Sequence, residues 1–364
     1  MSRLPPCVLL AMLIPAFAGP PAIPDIAENP HVVFLKSWLD PAKPAGEHTL
    51  PPARFRFADT LADAVRDQDR ALVRELLPLY SQALESEIQL CQIELSARSQ
   101  LAGQARQIAD QLHALVSLLG ERPAAGTLGQ IERETLAAAS LPFEVAAAEN
   151  LAKLPALHRR LELLGAKPTA TATAVPDPPL PASTGAASLA TSSPVLRILA
   201  LLADRRLASL DPLDQAPPTF EPLFVEEKSA LPNKLTRLGR QDRFSKTIRA
   251  DLREHAVRSL TESTQRRLDA IAALQPLVHA FPEDKLARMN AAAELADRQY
   301  RQGAIPISLL IETQKAVFDA RSARTDALLN LWRETMELRS LAPHQYQKLD
   351  PSTGIGSEGS QRTQ

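Results

Sequence analysis

Residues 300–315 read YRQGAIPISLLIETQK, and this stretch decides the fold of the C-terminal half. Gly303 and Pro306 stand where one helix ends and another begins, because glycine adopts positive φ without strain and proline suits the first turn of a helix. The residues that follow are mostly apolar or strong helix formers. The stretch therefore predicts a tight turn at Tyr300–Ser308 between two helices.

Apolar side chains recur every seven residues after this turn. One heptad position is apolar and is occupied by Leu310, Val317, Leu331 and Leu338. The companion position is small or apolar and is occupied by Thr313, Ala320, Ala327 and Leu341. Arg324 interrupts the first position and Glu334 the second. Such a repeat keeps one stripe facing a partner helix. We therefore expect the final helix, residues 307–341 and about 50 Å long, to pack antiparallel on the helical region before it, residues 244–302.

The N-terminal half carries a similar pattern. Apolar residues three and four apart follow one helix face: Leu101, Ala105, Ile108, Leu112, Leu115 and Leu119. Gly120, Pro123 and Gly126 then predict a turn, and a second helical region runs from Leu128 to Leu164 and is closed by Gly165. Gly165 follows Gly126 by as many residues as Ala342 follows Gly303. This spacing fits either an internal duplication or two unrelated helical hairpins.

Composition and proline clusters divide the chain into six predicted segments. Arg3, the apolar run to Ala18 and the motif Ala16-Phe17-Ala18 are typical of a secretory signal peptide. The segments are a signal peptide at 1–18, a proline-rich segment at 19–57, a first helical hairpin repeat at 58–165, a flexible linker at 166–194, a second repeat at 195–342 and a disordered tail at 343–364. Three short strand candidates accompany the proline-rich stretches: His31–Leu35, Arg54–Phe57 and Phe220–Val225. Prolines at 78, 142, 155, 276 and 282 are expected to kink or interrupt the helices.

The predicted fold class is mainly α, with long antiparallel coiled-coil hairpins in two repeats and at most a few short β-strands. A net charge of −1 offers no basic field for nucleic acid. The seven histidines have no metal-ligand spacing with one another or with cysteine, and no phosphate loop or nucleophile motif is present. We therefore expect no enzyme activity, no cofactor and no metal site.

The segment from Tyr300 to Lys315, followed by Ala320-Arg321, resembles the signature of TolC-type outer-membrane efflux proteins. In that family a Tyr-x-x-Gly turn leads into an apolar helix that bears an acidic residue, a small residue and Gln. Glu312, Thr313 and Gln314 stand at those places here. The resemblance covers most of residues 244–341 and extends more weakly over 101–165.

The resemblance implies a homotrimer whose helices form a periplasmic tunnel, with strands that form a shared pore in the outer membrane. It also implies a periplasmic adaptor protein, which meets the hairpin tips, and an inner-membrane pump. The residues it assigns to adaptor binding lie at the two turns: Tyr300, Gly303, Ile305, Pro306 and Ser308 in the second, and Gly126, Thr127 and Leu128 in the first.

Two functions remain open at this point. The first is an outer-membrane channel component of a tripartite efflux or type I secretion system. The second is an exported periplasmic coiled-coil scaffold derived from the same family, which the shortness of the strand candidates favours. Single residues also have two readings each. Gly303 is an adaptor-binding tip or simply a residue that permits positive φ at a helix end. Tyr300 packs the turn or contacts a partner, and Arg324 pairs with a neighbouring carboxylate or lines the tunnel.

Overall fold

A computed structural model describes residues 25–40, 50, 55, 57–120, 126–167, 175–179, 185–209 and 242–341. These residues are overwhelmingly helical and include no strand, which confirms the predicted mainly α class. The helices are α1 (Pro30–Trp38), α2 (Ala58–Arg66), α3 (Arg70–Gly120), α4 (Gly126–Leu163), α5 (Ala186–Thr191), α6 (Pro194–Ser209), α7 (Asp242–His279), α8 (Glu283–Arg301) and α9 (Ile307–Leu341). The predicted signal peptide, the strand candidate Phe220–Val225 and the tail at 343–364 lie outside the described residues.

Helices α3 and α4 form the first hairpin. Arg98 Nη1 donates to Asn150 Oδ1 over 3.4 Å, and Arg160 Nε donates to Glu87 Oε1 over 2.8 Å. As the residue number rises along α4, that of the partner on α3 falls, so the two helices run antiparallel. With about 1.5 Å of rise per residue, the 51 residues of α3 extend roughly 75 Å.

Helices α7, α8 and α9 form the second hairpin, in which α7 and α8 both pack along α9. Arg267 Nη1 pairs with Glu334 Oε2 at 2.9 Å, and Arg324 Nη1 pairs with Glu283. These pairs again run in opposite directions along the two helices. The turn predicted at Tyr300–Ser308 is confirmed, and all four predicted leucine and valine heptad residues of α9 are buried.

The two hairpins meet along α3 and α9. Arg333 Nη2 donates to both oxygens of Glu94 at 3.1 Å, Arg98 Nη1 pairs with Asp326 at 3.0 Å, and Gln82 Nε2 donates to the Arg339 carbonyl at 3.0 Å. Because α3 and α9 are antiparallel, the end of α3 lies beside the start of α9. Both hairpin turns are therefore at the same end of the molecule.

His31–Leu35 was predicted as a strand, and this prediction is wrong because the segment is part of α1. Asn29 caps the helix by accepting the His31 N–H at 3.0 Å, and Pro30 occupies its first position. These favourable features at the start of the helix outweigh the strand preference of the β-branched pair Val32–Val33. Three side chains of α1 are buried at three-residue spacing: Val32, Leu35 and Trp38. They pack on the base of the first hairpin, which is the end opposite its turn.

Four of the five prolines do not interrupt a helix, whereas the kinks expected at Pro78, Pro142 and Pro155 stay predictions. Pro78, Pro142, Pro155 and Pro276 all lie inside continuous helices. A proline inside a helix costs about 3 kcal/mol, which long packed helices offset through tertiary contacts. Of the five, only Pro282 lies between two helices, where it follows the turn at Ala280–Phe281 and precedes α8.

The predicted linker at 166–194 contains ordered structure. Residues 186–191 form α5, and Leu189 is 1% exposed. Leu189 joins a buried cluster with Ile271 of α7 and Leu328 of α9. Leu189, with the buried Ala186 and Ala190 beside it, therefore docks this short helix.

Candidate partner-binding tips of the two hairpins

Gly303 ends α8 in a left-handed conformation with φ of 76°. The Ala304 N–H donates to the Gln299 carbonyl at 2.9 Å and the Gly303 N–H to the Tyr300 carbonyl at 2.8 Å, which is the Schellman arrangement of a helix C-terminus. The structural reading of Gly303 is confirmed. A Cβ at this position would have no described atom within 4 Å, so the constraint is on the backbone conformation and not on space.

Gly165 ends α4 in the same way, with φ of 71° and with the Ala166 N–H donating to the Leu161 carbonyl at 2.9 Å. Unlike Gly303, it lies in a crowded place, where a Cβ would come within 3.1 Å of Pro30 Cδ. The Asn29 amide also donates to the Leu164 carbonyl at 2.9 Å. The base of the first hairpin is therefore covered by α1 and its capping residue Asn29, whereas no described atom lies close to a Cβ position at Gly303.

The residues of the second turn divide into an outer and an inner set. Gly303, Pro306 and Ser308 are exposed. Tyr300 and Ile305 are half-buried and pack, with Ile307, on a buried cluster beneath the turn. That cluster combines residues of the four helices that flank the two turns: Ala105, Ile108, Ala109, Leu112 and Leu115 of α3, Leu136, Phe143 and Ala147 of α4, Ala296 of α8 and Leu310 of α9. Tyr300 therefore has the packing role that was one of its two predicted readings.

The first turn lies between α3 and α4. Gly126 begins α4, so Gly126, Thr127 and Leu128 form the first turn of that helix, two residues earlier than the predicted start. Thr127 is exposed. The structure thus brings all eight predicted tip residues to one end of the molecule, in two separate turns.

A polar group of the first hairpin near its turn was not predicted. His113 Nε2 lies 2.8 Å from Ser140 Oγ and 2.9 Å from Glu144 Oε1, and Ser140 Oγ donates to Glu144 Oε1 at 2.9 Å. The imidazole and the carboxylate are about half exposed. No local motif links His113 to the α4 residues, so only the hairpin geometry reveals the group.

Arg324 is paired with Glu283, so the pairing alternative is the one observed. The neighbouring Arg321 has a pKa below its ordinary value because burial disfavours its charge, while Glu283 acts in the opposite direction. The Glu283 carboxylate at the start of α8 therefore pairs with Arg324 and also acts electrostatically on Arg321. The ion pair with Glu283 explains why Arg324 is tolerated in an apolar seam.

No group of three or more His, Cys, Asp or Glu side chains among the described residues is arranged to hold a metal ion. None of the described helices has the length and apolar character needed to cross a membrane.

No family model matches the chain. No curated protein matches it either. Solved structures do resemble it. They include CusC, whose crystal structures concern folding and transmembrane channel formation, with a TM-score of 0.49 and 12% identity over 79% of this chain and 73% of that one. The outer membrane protein VceC of Vibrio cholerae gives a TM-score of 0.46 and 14% identity over 79% and 76%. The open-state MtrE outer membrane channel of Neisseria gonorrhoeae gives 0.47 and 12% over 80% and 73%. Such low TM-scores and sequence identities give no evidence about function, which must be inferred from the residues of this chain.

Proposed function

We propose that this protein is an outer-membrane channel component of a tripartite efflux or type I secretion system, acting as a passive conduit. The observation that carries the proposal is the position of the TolC-type signature. Its residues form the turn of a long antiparallel hairpin, and Gly303, Pro306 and Ser308 are exposed there. A periplasmic adaptor, coupled to an inner-membrane pump, would bind this end.

The surface of α4 supports self-association. Ile131, Leu141 and Val145 are 61%, 57% and 56% exposed and lie within a sector of about 80° on the helix. Exposed apolar side chains on one helix face are typical of a protein interface. Packing of this face on another copy would bury it, and the homotrimer expected for such a channel supplies that copy.

Subcellular fractionation tests the channel proposal. The protein should fractionate with the outer membrane and resist extraction by salt, and it should co-purify with the adaptor after chemical cross-linking. Release of the full-length protein with the periplasmic fraction would contradict the channel.

The second candidate is an exported periplasmic scaffold that binds partners through the same tips. The specific observation in its favour is α1, because one of the three strand candidates is instead a helix packed on the base of the first hairpin. This candidate predicts recovery in the periplasmic fraction together with retained adaptor binding. Fractionation combined with cross-linking therefore separates the two functions.

A further inference from the structure

The segment Val175–Pro179 has a defined place although it belongs to the predicted linker. Its sequence is VPDPP, so three of its five residues are prolines and lack a backbone N–H. Pro178 is buried, Val175 is half-buried and Asp177 is exposed. The segment adopts neither helix nor strand. The main chain of this segment therefore offers more carbonyl acceptors than N–H donors for hydrogen bonds.

Trp332 of α9 binds this segment directly. Its indole Nε1–H donates to the Pro176 carbonyl over 2.7 Å, and the ring is only 2% exposed. Val175 packs on two neighbouring clusters. The first consists of Ile93 and Ala97 of α3 and Leu329, Trp332 and Met336 of α9, and the second includes Ile271 of α7 and Leu331 of α9. The segment therefore contacts both hairpins where α3 and α9 meet.

Two buried polar side chains without a described partner lie at about the same level of α3 and α9 as this segment. The Gln92 amide and the Thr335 hydroxyl have no hydrogen-bond partner among the described residues, although Gln92 is 1% and Thr335 0% exposed. The neighbouring pair Glu94–Arg333 places Gln92 and Thr335 at the same level of the two helices. Unpaired buried polar groups weaken a helix contact.

We propose that the α3–α9 groove around Trp332, hereafter the Trp332 groove, is a binding site for an extended proline-rich peptide. In this protein the site is occupied by residues Val175–Pro179 of the same chain, which contact both hairpins and hold them together. Proline-rich segments suit such a site because they are extended before binding and lose little conformational entropy on docking. Aromatic grooves that donate a hydrogen bond to a proline carbonyl are a recurrent way of recognising them. The inference is independent of the channel function.

Intrinsic fluorescence tests occupancy, because the chain has only two tryptophans. With Trp38→Phe as background, Trp332 is the single reporter. Replacing residues 175–179 with a Gly-Ser segment of equal length should shift the emission to longer wavelength and increase quenching by acrylamide severalfold. The single change Val175→Ser should give a smaller shift in the same direction, whereas Asp177→Ser at the exposed position should give none. Unchanged emission in the replaced and Val175→Ser variants, with helix content preserved, would overturn the proposal.

A peptide added in trans tests recognition. A synthetic peptide of residues 172–181, ATAVPDPPLP, should reverse the emission shift of the full-length replaced variant in a saturable way. A control peptide with Val175→Ser and alanine in place of the four prolines should bind at least tenfold more weakly. If neither peptide reverses the shift, or both do so equally, the groove does not recognise a proline-rich ligand and the proposal fails.

Discussion

Gly303 shows most clearly how one residue shapes this protein. Its positive φ allows α8 to end and α9 to start within a few residues. A non-glycine residue in this conformation lowers the stability of the fold by about 1–2 kcal/mol. The cost is smallest for asparagine, which adopts the left-handed conformation more readily than other residues. The glycine therefore sets the turn that carries the exposed tip.

Gly303→Val should lower the stability of the protein by about 1–2 kcal/mol and impair export of the cargo, with helix content preserved. Gly303→Asn should lose less than half as much stability. The matched control is Gly103→Val, since Gly103 lies within α3 with open space around its Cβ position. Thermal melts, circular dichroism and an export assay provide the measurements. Unchanged export in Gly303→Val would count against a tip role.

Tyr80 is a second residue with a specific energetic consequence. Its hydroxyl is buried without a hydrogen-bond partner among the described residues. Burial, with a further contribution from Glu87, raises the pKa of Tyr80 above its usual value. Because the folded state holds this proton more tightly than the unfolded chain, the free energy of unfolding is highest below the unfolded pKa near 10 and falls as the pH rises above it.

Tyr80→Phe should therefore stabilise the protein by about 1 kcal/mol at neutral pH, because the phenylalanine leaves no unpaired hydroxyl. The variant should also lose less stability than the parent between pH 10 and 12. Denaturant unfolding at a series of pH values measures both effects. A loss of stability at neutral pH would show that the hydroxyl has a partner after all.

At the scale of elements, ion pairs set the register of neighbouring helices. Glu87 of α3 and Arg160 of α4 join the base of the first hairpin, and the Glu87 side chain is only 9% exposed. Removing one member of such a pair leaves a buried charge uncompensated and costs about 3–5 kcal/mol. Replacing both members with apolar residues is far less costly.

Glu87→Leu should thus destabilise the protein by several kcal/mol, while the double variant Glu87→Leu/Arg160→Met should recover most of that loss. The corresponding change of an exposed pair, Asp284 and Arg288 on α8, should have an effect below about 1 kcal/mol. A double-mutant cycle from denaturant melts gives the coupling energy. Additive effects at Glu87 and Arg160 would contradict the inferred role of this pair.

The elements also show how far sequence reasoning reaches. The bounds of α9, residues 307–341, and the turn before it follow from the heptad pattern, Gly303 and Pro306, which are local features. The helix α1 was missed because the Asn29 cap and Pro30 dominate two strand-favouring valines. The docking of Val175 and Leu189, and the group around His113, depend on side chains that are far apart in the sequence. No periodicity encodes those contacts.

At the scale of the whole molecule, we propose that the exposed apolar face of α4, formed by Ile131, Leu141 and Val145, mediates self-association. The double variant Leu141→Glu/Val145→Glu places two charges on that face and should convert an oligomer into a monomer in analytical ultracentrifugation. Leu151→Glu is the control, because Leu151 is 41% exposed but lies outside that sector, about 100° around α4 from the midpoint of Leu141 and Val145. Retention of the oligomer by the double variant would place the interface elsewhere. Equal dissociation by the control variant would indicate a general effect of charge.

The central claim is that both hairpin turns lie at one end of a rod of antiparallel helices. Pulsed electron–electron distance measurements between spin labels at Thr127 and Ser308 test it most directly, with Cys7 and Cys91 replaced by alanine and labelled chains diluted in unlabelled ones. The two turns should lie within about 25 Å, roughly two helix diameters. Labels at Thr127 and Ser340 should be about 50 Å apart, the length of α9. A long distance for the first pair, or a short one for the second, would contradict the account.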